Sequence, residues 1–225
     1  MNSRLEQIMS TAHSTDYSPQ EERINALTHA LGALLALLGS IALWSAASPS
    51  LSAAQLAGLL LYGGSLILLF TASALYHHSR RPHLRLRLKQ LDHAAIYGLI
   101  AGTYTPFLMI SLAGNPKADL LLMVLWLIAL LGVIFKIFFI HRFALLSLAA
   151  YLVMGWLALL ILPEIRQALD THGFYLLVAG GVSYTLGSVF YALKKLHYSH
   201  AIWHGFVLLG AALHFWAIYA YVLPH

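Results

Sequence analysis

Polar positions break the apolar character of this chain at only a few points, and the stretches between them are long. Seven apolar runs, at 24–47, 51–77, 92–113, 119–140, 143–162, 174–193 and 200–223, each come near the ~20 residues needed to cross a bilayer as a helix. Pro49 and Ser50 mark the turn after the first run, Gly114, Asn115 and Pro116 the turn after the third, and Pro163 and Glu164 the turn after the fifth. The pattern predicts an all-α integral membrane protein, a bundle of seven transmembrane helices. Residues 1–23 form a polar arm, and 24–225 a single membrane domain. Pro106, within Thr103-Tyr104-Thr105-Pro106-Phe107, predicts a bend in the third helix, with threonine hydroxyls available to the freed carbonyls.

Composition agrees. Only 9% of the 225 residues are charged and 60% are hydrophobic, more apolar surface than a soluble domain of this size can bury. Cysteine is absent, which excludes disulfides, thiolate metal sites and a cysteine nucleophile, so any metal must be held by His, Asp or Glu. The first residues do not read as a signal peptide, because Glu6, His13, Asp16 and Glu21 follow Arg4 without an apolar core.

The net charge of +5 is no nucleic-acid signal; its distribution reports orientation. Arg80, Arg81, Arg85, Arg87 and Lys89 form a basic loop between the second and third helices. Lys136 and Arg142 flank the fourth-to-fifth connection, and Lys194 and Lys195 the sixth-to-seventh. The opposite side carries Lys117 and Arg166. The positive-inside rule then places the N-terminus in the cytosol and the C-terminus outside. Gly98 and Gly102 in the third helix, and Ala179, Ser183 and Gly187 in the sixth, read as small residues at close helix crossings.

That topology brings polar residues from four helices to one depth near the cytosolic boundary: Asn25, Thr28 and His29; Ser73, His77 and His78; Asp92 and His93; and His200 and His204. His200 and His204 are four apart and share a helix face. Ser73 lies one turn before His77, which favours His77 over His78 as the inward histidine. A carboxylate at the threshold of a span, as Asp92 is, needs a cationic or hydrogen-bonding partner. Three histidines and one carboxylate suit a tetrahedral Zn²⁺ with a water or an open fourth position. Asp92 would act as general base on that water and Ser73 would donate to a developing oxyanion. The spacing leaves two readings open, a metal site or histidines that snorkel and cap helix ends. His93 reads as a polar neighbour, His214 as a hydrogen-bonded packing residue, and His197 as solvated. His29 reads as a helix-end hydrogen bond or a support to the site. His83, His141, His172 and His225 fall in loops or tails.

Taken together and in order, four motifs resemble a known family. They are Glu22-x-x-Asn25-x-x-Thr28-His29, Ser73-x3-His77, Leu91-Asp92-His93-Ala94-Ala95-Ile96-Tyr97 with the following Ala101–Phe107 stretch, and His200-x3-His204. The chain is similar to the hemolysin III-like bacterial branch of the progestin and adipoQ receptor family. The resemblance implies seven helices with the N-terminus inside, in a bacterial inner membrane. It implies a zinc ion on His77, His200 and His204, with Asp92 meeting it through water. The superfamily includes alkaline ceramidases, so it also implies a zinc-dependent hydrolase of a lipid amide or ester, linked to membrane-lipid homeostasis. Membrane lipids or a fatty-acyl compound would be its substrates. The alternatives are a non-enzymatic membrane sensor or regulator with structural zinc, or a pore-forming hemolysin-like protein. No polar stripe spans the chain to support a pore.

Overall fold

In the computed structural model, which describes residues 17–140, 142–193 and 196–224, the described regular structure is entirely helical. The helices are α1 (Pro19–Ala46), α2 (Ala53–His78), α3 (Pro82–Pro106), α4 (Pro116–Phe139), α5 (Ala144–Gly155), α6 (Leu162–Ala168), α7 (Thr171–Ala192) and α8 (Ser199–Tyr221). They build seven spans long and apolar enough to cross a membrane, with α5 and α6 sharing the fifth. The arm up to residue 16, His141, Lys194, Lys195 and His225 lie outside the described residues.

Local chemistry fixes most helix starts. Ser18 accepts from the Glu21 amide ahead of α1. Ser52 and Gln55 form a reciprocal capping box at α2. Asn115 caps α4 and Asp170 caps α7, and each such cap is worth about 1 kcal/mol. Proline occupies the first turn of α1, α3 and α4, where its missing N–H costs nothing.

Three boundaries differ from the sequence expectation. Helix α1 begins at Pro19, so the last residues of the polar arm, Glu21 and Glu22 included, are helical and buried. Helix α3 begins at Pro82, so most of the expected basic loop is helix: Arg85, Arg87 and Lys89 lie on its first turns and Ser79–Arg81 alone make the connection. The fifth span does not stop at Pro163. A 3-10 segment, Leu157–Ile161, links α5 to α6, and Pro163 sits in the first turn of α6. His83 and His172 likewise lie in the first turns of α3 and α7 rather than in loops.

Around Pro106 the chain keeps winding as a π-turn, Phe107–Ser111. The Thr105 and Thr103 hydroxyls bond back to the carbonyls of Ala101 (2.8 Å) and Leu99 (2.7 Å). The wider turn is a standard way to absorb a residue that lacks its amide hydrogen.

Consecutive helices α1 to α4 pack side by side, α7 packs along α8, and α8 closes onto α1. Small residues set the approach. A Cβ on Gly102 would lie 2.4 Å from Ser65 Oγ on α2, and one on Gly187 would lie 2.6 Å from Phe206 Cβ on α8. Gly98, the other half of the α3 pair, has open space beside it. The outward faces are apolar, with Leu31, Leu38, Leu127 and Leu131 all exposed. The inward faces at one end are polar, with Glu22, Asn25, His29, Ser73, His77, Asp92, His200 and His204 all buried. Apolar outside and polar within is the arrangement expected of a bundle in lipid.

Candidate metal centre

The polar end is where α1, α2, α3 and α8 meet. Helix α2 delivers His77 in its last turn, one turn beyond Ser73. Helix α8 delivers His200 in its first turn and His204 in its second. Tyr198, just ahead of α8, takes a left-handed backbone conformation (φ 58°). That conformation is uncommon for a residue with a side chain, and it starts the helix with His200 already facing inward and buried.

His77, His200 and His204 each offer a ring nitrogen, and these nitrogens all lie within 4.8 Å of one another. His77 Nε2 and His200 Nε2 are 3.2 Å apart. Two ligands on one tetrahedral ion with bonds of about 2.0–2.1 Å are separated by about 3.3–3.4 Å, so this pair already stands at ligand spacing. Their opposite ring nitrogens are engaged. His77 Nδ1 lies 2.6 Å from Glu22 Oε2, and the Tyr17 hydroxyl lies 3.1 Å from His200 Nδ1. Each imidazole is thereby held through one nitrogen with the other turned to a common point, the usual posture of a metal-binding histidine. The donor set of three imidazoles without thiolate is one that zinc and neighbouring transition metals accept. The three buried histidines therefore could hold a metal ion.

The remaining expected site residues stand close by in different roles. Asp92 is buried at the same end, with Oδ2 3.4 Å from His93 Nδ1. It is near enough for its charge to act on His77, His29 and His200, but it is not one of the three grouped ligands. Ser73 is fully buried, and its hydroxyl has no hydrogen-bond partner among the described residues. Asn25 is in the same condition at both amide atoms, as is His29 at both ring nitrogens. Buried polar atoms in this state call for water or a polar ligand group.

Of the other histidines, His93 is a neighbour, its Nδ1 3.0 Å from the Lys89 carbonyl. His214 packs deep in the bundle, its Nε2 3.0 Å from the Leu177 carbonyl. His197 is exposed ahead of α8. Among the described residues His29 makes no helix-end hydrogen bond. It lies ring on ring against His204 instead, with centroids 3.5 Å apart and planes 7° from parallel.

Three contributors were not singled out from the sequence. Glu22 was a letter in a motif, Arg85 a charge in a topology count, and Tyr17 part of the arm. Arg85 donates to Glu22 Oε1, to the Tyr76 carbonyl (3.1 Å) and to the Ser79 carbonyl (3.2 Å). The one available signal was Glu22 at the head of the Asn25–His29 motif, on the same turn-by-turn face.

The profile of the family described as Haemolysin-III related matches residues 17–215. The chain is 44% identical over 205 residues to Hemolysin-3 of Bacillus cereus, covering 91% of this chain and 93% of that one. It is 42% identical over 205 residues to the Hemolysin-3 homolog of Bacillus subtilis (strain 168), covering 91% and 96%. It is also 33% identical over 168 residues to the human Monocyte to macrophage differentiation factor, covering 72% and 69%. With a polytopic helical fold, a buried histidine triad and matches across nearly its whole length, the chain belongs to the haemolysin-III-related family of membrane proteins.

Proposed function

We propose that this protein is a zinc-dependent membrane hydrolase that cleaves an amide or ester of a fatty acid, and that it serves membrane-lipid homeostasis. Its site would lie near the cytosolic face of a bacterial inner membrane, with the N-terminus inside. The observation that carries this reading is the convergence of His77, His200 and His204 beside a buried carboxylate, Asp92, and an unpartnered buried hydroxyl, Ser73. The orientation follows from Arg80, Arg81, Arg85, Arg87 and Lys89, all at the histidine end.

His77, His200 and His204 would hold the ion. Bound there, zinc would polarise a carbonyl and acidify a nearby water. Asp92 would take the proton from the attacking water and pass it to the departing amine or alkoxide. The Ser73 hydroxyl would donate to the carbonyl oxygen as it gains charge. A cavity of about 160 Å³ runs among α3, α5, α7 and α8, bordered by Leu69, Thr103, Tyr151, Trp203, Val207 and His214. Leu69 lies two turns before His77 and Trp203 adjoins His204 in sequence, so an apolar chain could lie alongside the site.

A second reading is favoured by one observation. In backbone packing α2 lies along α1 and α3, and α8 along α7 and α1, so an ion on His77, His200 and His204 would tie α2 to α8 directly. The protein would then be a sensor or regulator with structural zinc.

The test is metal content and turnover on purified protein. Wild type is expected to carry one zinc per chain, and His77→Ala, His200→Ala and His204→Ala to lose it. Asp92→Asn is expected to keep zinc and lose hydrolysis of ceramide or acyl-amide substrates. Stoichiometric zinc in all three alanine variants would sink the site. Zinc without turnover on any such substrate would leave the structural reading standing and remove the catalytic one.

A further inference from the structure

Glu22 stands between an imidazole and a guanidinium from different helices. One carboxylate oxygen meets His77 Nδ1 at 2.6 Å, and the other accepts from Arg85. Arg85 in turn closes the last turn of α2, donating to the carbonyls of Tyr76 and Ser79, and lies over the Tyr76 ring at 4.6 Å. Those carbonyls belong to the group at a helix C-terminus that has no intrahelical partner. A single guanidinium from α3 thus fixes the end of α2 that carries His77 and also fixes the carboxylate from α1 that grips His77. All of these groups are buried or nearly so; the Arg85 side chain is 13% exposed and that of Glu22 is 10%.

This geometry decides which face of His77 is available. A carboxylate already bound to a guanidinium is an acceptor, so the His77 Nδ1–H donates to it. The lone pair is then left on Nε2, the atom that stands 3.2 Å from His200 Nε2. Without Glu22 the imidazole could turn, or protonate on the other nitrogen, and the convergence at Nε2 would be lost. Carboxylate partners of this kind are what set the tautomer and basicity of metal-binding histidines.

We propose that Glu22 is the positioning residue of the metal centre and that Arg85 holds it in place, so that the first turn of α1 and the first turns of α3 together set metal affinity. The inference rests on the metal reading of the histidine triad. It adds two residues that are not ligands and assigns the basic segment at the start of α3 a role beyond membrane orientation.

The experiment is zinc affinity on the purified full-length protein, read by competition with a chromophoric chelator and paired with the ligand-field spectrum of the Co²⁺-loaded form. Glu22→Gln keeps the size and loses the charge. It is expected to weaken zinc by about 10- to 100-fold and to shift the Co²⁺ bands, with helix content unchanged. Arg85→Ala is expected to weaken zinc less, and Arg85→Lys to recover part of that loss. The double variant is expected to be no weaker than Glu22→Gln alone, because both changes act through one chain of contacts. His204→Ala supplies the reference for loss of the site itself. Wild-type affinity and an unshifted Co²⁺ spectrum in Glu22→Gln would overturn the proposal while leaving the metal centre intact. If Glu22→Gln does not fold, unchanged affinity in Arg85→Ala overturns it equally. Absence of zinc binding by wild type would overturn the metal reading and this proposal together.

Discussion

The His29 and His204 rings are stacked at 3.5 Å, and Phe70 meets His29 edge-on with centroids 5.1 Å apart. His204 is therefore pressed from the α1 side by a flat aromatic face, while the His77 ring of α2 meets it edge-on with centroids 5.1 Å apart. That face is a packing support, so it depends on shape more than on nitrogen. His29→Phe should keep zinc affinity near wild type. His29→Ala should open a void beside His204, cost on the order of 2–4 kcal/mol of packing, and loosen zinc binding. Thermal melting with zinc affinity on both variants checks this. Equal loss in Phe and Ala would instead mean that an imidazole nitrogen of His29 takes part.

The seven spans and the shared depth of the polar residues were legible because length, hydropathy and charge asymmetry are properties of single segments. The partners of those residues were not. His29 on His204 and Glu22 on His77 are lateral contacts between helices far apart in the chain, and nothing local encodes them. The start of α3 was hidden for another reason. Arg85, Arg87 and Lys89 precede the third apolar run yet already lie within its helix, since charge sets where lipid begins and not where backbone hydrogen bonding begins. The fifth span was cut short at Pro163 because proline reads as a stop, yet in the first turn of α6 it is a start.

The two glycines of the α3 pair should respond oppositely to the same change. Among the described residues Gly98 has nothing within 4 Å of an added Cβ, whereas at Gly102 that atom would sit 2.4 Å from Ser65 Oγ. The Ser65 hydroxyl is already committed to the Tyr62 carbonyl at 2.7 Å. Gly98→Ala is expected to be neutral or stabilising, by up to about 1 kcal/mol from helix propensity. Gly102→Ala is expected to push α2 and α3 apart and lower the melting temperature, costing about 1–3 kcal/mol. Melting curves of the two variants in the same detergent settle the contrast.

Ser73 separates the catalytic reading from the structural one. Its hydroxyl is fully buried without a protein partner among the described residues, so its removal forfeits no internal hydrogen bond. Ser73→Ala is expected to leave zinc content and melting temperature near wild type. If the hydroxyl donates to a developing oxyanion, kcat should fall by about 10²–10³-fold. Unchanged kcat on an otherwise active protein would remove Ser73 from the chemistry.

Tyr104 is the hinge pin of the broken fifth span. Its hydroxyl donates to the Gly155 carbonyl at 2.6 Å and accepts from the Ala158 amide at 2.9 Å. These two backbone groups lie on either side of Trp156, where α5 gives way to the 3-10 segment. Irregular backbone at membrane depth survives only where something re-pairs its polar groups, and here one side chain from α3 pairs two of them. Tyr104→Phe keeps the ring and leaves both groups unmatched, at about 1–3 kcal/mol for each. The expected outcome is a lower melting temperature, with faster amide exchange confined to about residues 155–161 and zinc affinity at the other end of α3 unchanged. Exchange rising evenly across the bundle would show instead that the break is held by the packing around it, not by this hydroxyl.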